Sequence, residues 1–209
     1  MPFELWLAFV AASTILLLIP GPTVLLVLSY ALSQGRPVAV ASAGGVALGD
    51  LIAMSASLAG LGALVMTSAT LFAALKWAGA AYLIWLGSKL WRSAPSGGLN
   101  RMTTGRDVKV GSVFAHMAMV TALNPKGIAF FVAFVPQFLT PGAPLLPQFI
   151  ILITTFVSLA AANALAYALL ADHLRKWVDH PRAIQGMTRA GGVALMGMGV
   201  ATAILRRPV

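Results

Sequence analysis

The chain has 209 residues, of which 59% are hydrophobic and only 9% are charged. A soluble domain carries roughly 25% charged residues, so this composition excludes an ordinary water-exposed surface and makes the bilayer the expected solvent. The formal net charge of +9 is therefore expected to orient the chain in a membrane rather than to bind nucleic acid. The absence of cysteine excludes disulfides, thiol redox relays and cysteine-ligated metals.

Successive apolar stretches predict an all-α membrane protein with six transmembrane helices, because about 20 residues cross a bilayer. The helices are expected at residues 5–32, 38–66, 71–91, 111–138, 145–171 and 190–205, with a basic loop at 172–189 before the last. The whole chain, residues 1–209, is expected to be one membrane domain. It divides into a first repeat at 1–92, a polar loop at 93–110 and a second repeat at 111–209.

The first and fourth helices are each interrupted near the middle, at Pro20-Gly21-Pro22 and at Asn124-Pro125-Lys126. Proline removes a backbone donor and clashes with the preceding turn, so a helix breaks or kinks there. Broken backbone is tolerated inside a bilayer only where it faces protein or a water-filled cavity. Paired interruptions in corresponding halves therefore predict a transporter with its binding site at the midplane.

The two halves follow the same plan of a broken helix, a helix with a central polar residue and a plain helix. Residues 78–87 are also weakly similar in sequence to residues 190–199, with Ala78, Gly79, Leu83 and Gly87 matched by the same residue types. Three crossings is an odd number, so a second copy must lie upside down. The sequence therefore predicts a 3+3 inverted-topology repeat.

The lysines and arginines set the expected orientation, since they concentrate in cytoplasmic loops. The loops after helices one, three and five carry ten of them and the opposite side carries three. The first set is Arg36, Lys89, Arg92, Arg101, Arg106, Lys109, Arg175, Lys176, Arg182 and Arg189; the second is Lys76, Arg206 and Arg207. Both termini are therefore expected on the external, periplasmic side.

Two charged residues lie deep in the predicted helices. A charge near the midplane costs at least ~2.5 kcal/mol on insertion scales, so Asp50 is expected to face the protein interior, where it could carry a proton for a coupled carrier. The alternative is a structural acid that pairs with Lys126 or caps a broken helix. Lys126 is expected to hold a substrate carboxylate or to pair with Asp50, the alternative being a lysine that extends to the interface.

The breaks themselves are candidate ligand sites, because a half-helix N-terminus offers free amides and partial positive charge. The halves after Pro22 and Pro125 suit a carboxylate, and freed carbonyls or Asp50 suit an ammonium. Asn124 and Asn163 add neutral donors and acceptors, although Asn163 equally suits bonding between helices. A stripe of small residues in helix two is expected to be a packing face, with a homodimer interface as the alternative. It consists of Gly45, Gly49, Ala53, Ala56, Gly60 and Ala63.

The chain resembles the LysE/RhtB family of amino-acid exporters. The resemblance rests on ordered motifs between about residues 15 and 140. They are Pro20-Gly21-Pro22, Gly35-Arg36, Gly44-Gly45, Gly49-Asp50, Gly79-Ala80-Ala81-Tyr82-Leu83, Leu86-Gly87, Asn124-Pro125-Lys126 and Phe134-Val135-Pro136-Gln137-Phe138. It implies proton-driven export of amino acids or close derivatives from the bacterial cytoplasm across the inner membrane.

The resemblance also implies which residues form the translocation site: Pro20, Gly21, Pro22, Asp50, Asn124, Pro125 and Lys126. One position departs from the family, since Thr23 stands where many members have asparagine, and this difference is expected to alter the substrate.

The sequence thus predicts a secondary transporter that exchanges protons for a zwitterionic amino acid within the lipid bilayer. No paired-histidine metal motif, phosphate loop or nucleophile elbow is present, so neither an enzyme nor a cofactor or metal is expected. An ion carrier or channel of the same fold, and a membrane scaffold that transports nothing, remain as alternatives.

Overall fold

The computed structural model describes residues 1–67, 69–92, 109–140, 142–171 and 181–204 of the chain. Every regular element within these ranges is helical. The α-helices are α1 Phe3–Leu18, α2 Pro22–Gln34, α3 Arg36–Thr67, α4 Ala69–Arg92, α5 Val110–Ala122, α6 Pro125–Ala129, α7 Leu145–Leu169 and α8 Pro181–Ile204. The predicted loop at 93–110 and the first part of the loop at 172–189 lie almost wholly outside the described residues.

Several helices of the described chain are long and apolar enough to cross a membrane. Four qualify alone, and the pair α1 and α2, bent by 58° at its break, makes a fifth. The four are Arg36–Gly62, Val110–Phe138, Leu145–Leu169 and Gln185–Ile204. The protein is therefore a multi-pass membrane protein, and the sixth crossing, expected in α4, stays a prediction.

The structure interrupts both helices at the motifs that the sequence marks. α1 ends at Leu18 and α2 starts with Pro22, after Gly21 as the N-cap residue. α5 ends at Ala122, and α6 starts with Pro125 after Asn124. Proline fits the first position of a helix because its missing N–H would have no partner there.

The second half of the fourth helix is irregular beyond its break. α6 runs directly into a π-helical turn at Phe130–Phe134 and then a 3-10 turn at Val135–Phe138. Pro136 has no N–H to donate back along the helix, which accounts for the change in hydrogen-bond spacing. The phenyl rings of this segment pack into the core, where Phe138 meets Phe9 of α1 edge-on at 5.3 Å between ring centres.

The last helix starts earlier than the sequence analysis expects. A start at residue 190 is wrong, because α8 begins at Pro181 and residues 181–189 are helical rather than part of a basic loop. The expectation followed hydropathy, which marks where the apolar stretch begins. A helix can continue beyond that stretch because its backbone hydrogen bonds do not depend on apolar side chains.

Glycines bring α3 and α5 into close contact. A Cβ atom added to Gly49 would lie 2.5 Å from the carbonyl oxygen of Ala118 and 2.6 Å from the Cβ of Thr121. Nothing lies within 4 Å of the same position at Gly60. The N-terminal part of the small-residue stripe is therefore a packing face within the chain.

α4 and α8 pack along each other in opposite directions through a second set of small residues. A Cβ at Gly87 would lie 2.5 Å from the carbonyl oxygen of Gly192, and one at Gly199 would lie 2.8 Å from the carbonyl oxygen of Ala80. Residues late in one helix thus meet residues early in the other, as antiparallel packing requires.

Candidate substrate-binding site

A small cavity lies where the break in the first helix meets α3, α6 and α7. Its volume is about 40 Å³. Its polar lining comes from both halves of the chain and comprises Thr23, Asp50, Thr121, Asn124, Lys126, Asn163 and Tyr167. Apart from Gly127, the remaining lining side chains are apolar: Leu16, Leu17, Val24, Val27, Val46, Phe156, Ala160 and Ala164.

Lys126 holds the broken end of α1. Its Nζ donates to the carbonyl oxygen of Leu16 at 3.1 Å and to that of Ile19 at 3.0 Å. The last carbonyls of a helix have no partner within the helix and carry partial negative charge, so an ammonium group stabilises them. Lys126 therefore reaches into the protein at the break rather than out to the membrane interface.

Two residues of α7 complete this cap. Asn163 Nδ2 donates to the Leu17 carbonyl at 3.2 Å, and Tyr167 Oη donates to the Leu18 carbonyl at 3.4 Å. With Lys126, these side chains supply a donor to each carbonyl from Leu16 to Ile19. The side-chain donors at the break in the first half of the chain thus come from the second half, and the backbone N–H of Ile19 also donates to the Leu16 carbonyl.

The two breaks are also joined directly. Asn124 Nδ2 donates to Thr23 Oγ1 at 3.1 Å, while Asn124 Oδ1 accepts the backbone N–H of Lys126 at 3.1 Å. A second bond links α2 to α5, between Tyr30 Oη and His116 Nδ1 at 2.9 Å. The interrupted helices are therefore coupled both at the cavity and further along their length.

Asp50 lies on the other wall of the cavity, about halfway along α3, and is 7% exposed. Within the described part of the chain its carboxylate makes no hydrogen bond or ion pair, although the charge of Lys126 acts on it. The buried Oγ1 of Thr121, on the same cavity, also has no partner. An unpaired buried carboxylate is costly, so this wall is suited to a proton or a cationic group of a ligand.

The cavity brings together five of the residues singled out from the sequence: Thr23, Asp50, Asn124, Lys126 and Asn163. The other four, Pro20, Gly21, Pro22 and Pro125, are not among its lining residues, but they create the breaks that bound it.

Sequence reasoning missed two polar lining residues, Thr121 and Tyr167. Tyr167 follows Asn163 by four positions and so shares its face of α7, and Thr121 lies only three positions before the break at Asn124. That spacing is the signal by which they could have been found.

The cavity is too small for an amino acid in this conformation. A water molecule needs about 10–15 Å³ of such volume, so about 40 Å³ admits a few waters and no amino acid. Any larger solute requires the lining residues, which come from both halves of the chain, to move apart.

Comparison with known proteins adds a family. The family described as LysE type translocator matches residues 14–206 of this chain. Over 206 residues the chain is 36% identical to the homoserine/homoserine lactone efflux protein of Salmonella typhimurium and 35% identical to the protein of that name from Salmonella typhi, covering 99% of both chains in each case. It is also 33% identical to an uncharacterized membrane protein of Vibrio cholerae over 201 residues, covering 96% of this chain and 97% of the other. No solved structure matches it.

Proposed function

The chain belongs to the LysE-type translocators, and from this premise we propose that it exports a small amino acid or a close derivative from the bacterial cytoplasm in exchange for protons. As a member of this family it is a transporter rather than an enzyme. The observation that carries the proposal is that two opposite charges line the same cavity. The Asp50 carboxylate has no ion-pair partner in the described chain, and the Lys126 ammonium donates only to carbonyls at the end of α1.

The proposed binding mode assigns one wall to each charge of a zwitterion. The ammonium group binds Asp50 and the unpartnered hydroxyl of Thr121. The Lys126 ammonium has three N–H groups, and two of them donate to carbonyls. The substrate carboxylate binds the third N–H and the backbone amides at the start of α2. Those amides, of Thr23 and Val24, have no partner within the helix, and no side chain caps them.

The names of the relatives sharpen this assignment. The Salmonella proteins are named for efflux of both homoserine and its lactone. The lactone is a cyclic ester and has no carboxylate, so the amino group is the charge that the two molecules share. A site that recognises the amino group at Asp50, and uses Lys126 only for the open form, accommodates both. The small volume and the apolar part of the cavity lining favour a short, uncharged side chain.

Proton coupling is assigned to Asp50, because substrate and proton then compete for one carboxylate. With the cavity open to the cytoplasm, the substrate ammonium replaces the proton. With the cavity open to the outside, a proton replaces the ammonium and the substrate leaves. Since the carboxylate has no other partner in the described chain, one of the two is needed to stabilise it in each state.

The opening motion is assigned to rocking of an inverted 3+3 repeat, residues 1–92 against 111–209. The contacts between α4 and α8 support this symmetry. When residues 78–87 are aligned with residues 190–199, Gly87 corresponds to Gly199 and Ala80 to Gly192. Exchanging the halves therefore converts the contact of Gly87 with Gly192 into that of Gly199 with Ala80, and both contacts are close. A twofold axis in the membrane plane has this property.

The test is exchange across proteoliposomes that contain the purified protein, with labelled amino acids, homoserine and homoserine lactone outside and a pH-sensitive dye inside. We expect exchange of one or a few small solutes accompanied by proton movement. Asp50→Asn should abolish proton movement for both forms of the substrate. Lys126→Gln should reduce homoserine exchange much more than lactone exchange, because only the open form has a carboxylate.

Lys109→Gln is the matched control, since Lys109 is exposed and its side chain caps nothing. Wild-type exchange rates in both Asp50→Asn and Lys126→Gln would overturn the assignment of the site. No flux of any amino acid or lactone would overturn the substrate class, and would instead favour an ion carrier or a scaffold of the same fold.

A further inference from the structure

A surface groove lies between α4 and α8, away from the cavity. Its volume is about 400 Å³, and its lining is Ser88, Trp91, Arg92, Val193 and Met196. The close backbone approach at Gly87 and Gly192 lies beside it, so no side chain from those positions fills the crevice between the helices. The groove therefore combines an apolar wall with a basic end.

A second basic group lies near an aromatic ring of the groove lining. The Arg189 guanidinium lies 6.0 Å from the centre of the Trp91 ring. The planar guanidinium presents its N–H donors as a rigid fork. Such a fork matches the paired oxygens of a phosphate group.

The electrostatics of the described chain favour an anion here. Its only acidic residues are Glu4, in the first turn of α1, and Asp50, in the cavity. Arg92 ends α4, and Arg189 lies in the second turn of the candidate span Gln185–Ile204. These positions suit the depth at which lipid phosphates lie, and tryptophan is enriched at that depth.

We propose that this groove binds one anionic phospholipid. The phosphate binds Arg92 and Arg189, and an acyl chain lies along Val193 and Met196. Val193 is 51% exposed and Trp91 is 46% exposed, so the described chain leaves this surface open to a lipid. Basic pockets between transmembrane helices bind anionic head groups in this manner.

The experiment is native mass spectrometry of the full chain in detergent, with phosphatidylglycerol or phosphatidylcholine of identical acyl chains added. We expect one retained phosphatidylglycerol and little phosphatidylcholine. Arg92→Gln combined with Arg189→Gln should lower the affinity for phosphatidylglycerol about fivefold for each arginine removed. Val193→Trp keeps every charge but fills the groove, so it should also displace the lipid. Thermal melting of each variant reports whether it still folds.

The control pair is Arg36→Gln with Lys109→Gln, which removes the same charge from exposed positions outside the groove. Retention of both lipids alike would overturn the proposal, as would equal losses in the control pair and the arginine pair. Inorganic phosphate is tested in parallel. Binding of free phosphate as tight as that of phosphatidylglycerol, or full retention of the lipid by Val193→Trp, would show that the acyl chain plays no part and would also overturn the proposal.

Discussion

Individual residues of the second half stabilise the break in the first. The carbonyls from Leu16 to Ile19 would be costly if left unpaired in a membrane, and donors from Lys126, Asn163 and Tyr167 satisfy them. The sequence leaves open whether Lys126 pairs with Asp50. The structure gives Lys126 a different partner, the end of a helix, so the two charges share a cavity without an ion pair between them.

The bond between Thr23 and Asn124 is expected to stabilise the protein. Thr23→Val keeps the shape of the side chain but removes the oxygen that accepts from Asn124 Nδ2. Leaving a buried donor unpaired costs about 1–3 kcal/mol, and Asn124 is buried. We expect a lower melting temperature in detergent and slower exchange in proteoliposomes. Thr23→Ser keeps a hydroxyl and should retain most of both; equal effects of valine and serine would contradict this role of the bond.

Among the elements, the α3 and α5 helices show how glycine spacing determines contact. α3 has 32 residues and carries both Asp50 and the glycines that let α5 approach. The approach at Gly49 places Thr121 beside the neighbouring Asp50, so the packing of these helices also shapes one wall of the cavity.

A pair of substitutions on α3 tests this packing. Gly49→Ala should destabilise the protein by about 1–3 kcal/mol, the usual cost of an overpacked interface, because its Cβ would press on the carbonyl of Ala118. Gly60→Ala, on the same helix, meets nothing within 4 Å and should be neutral or stabilising, since alanine is the better helix former. Thermal unfolding in detergent compares them, and similar melting temperatures for the two variants would count against a packing role for Gly49.

The orientation of the whole molecule in the bilayer is predicted from its charged loops. The lysine and arginine count predicts that the turn between α2 and α3 is cytoplasmic and that the N-terminus and the turn before α7 are external. Several of the basic residues behind the prediction, such as Arg101 and Arg175, lie outside the described residues. The orientation therefore stays a prediction.

Single cysteines measure this orientation cleanly, because the natural chain has none. We expect a membrane-impermeant maleimide added to intact spheroplasts to label Phe3→Cys and Pro144→Cys but not Arg36→Cys. Phe3 and Arg36 are the first residues of their helices, and Pro144 directly precedes α7. All three positions are exposed. Lysis should expose the cysteine at position 36. Labelling of that cysteine in intact spheroplasts, with no labelling of the other two, would reverse the predicted orientation.

The sequence alone determined the class of the molecule and the positions of both breaks, and it singled out Asp50 and Lys126 as charges buried within the helices. These features depend on proline chemistry, on the cost of charge in hydrocarbon and on short motifs, all of which are local in the chain. Only the tertiary structure decided that Lys126 caps α1, that Thr121 and Tyr167 line the cavity, and that the cavity is small. Those contacts join distant residues, as Lys126 and Leu16 are 110 positions apart. They depend on how each helix is rotated and tilted against its neighbours, which no local pattern specifies.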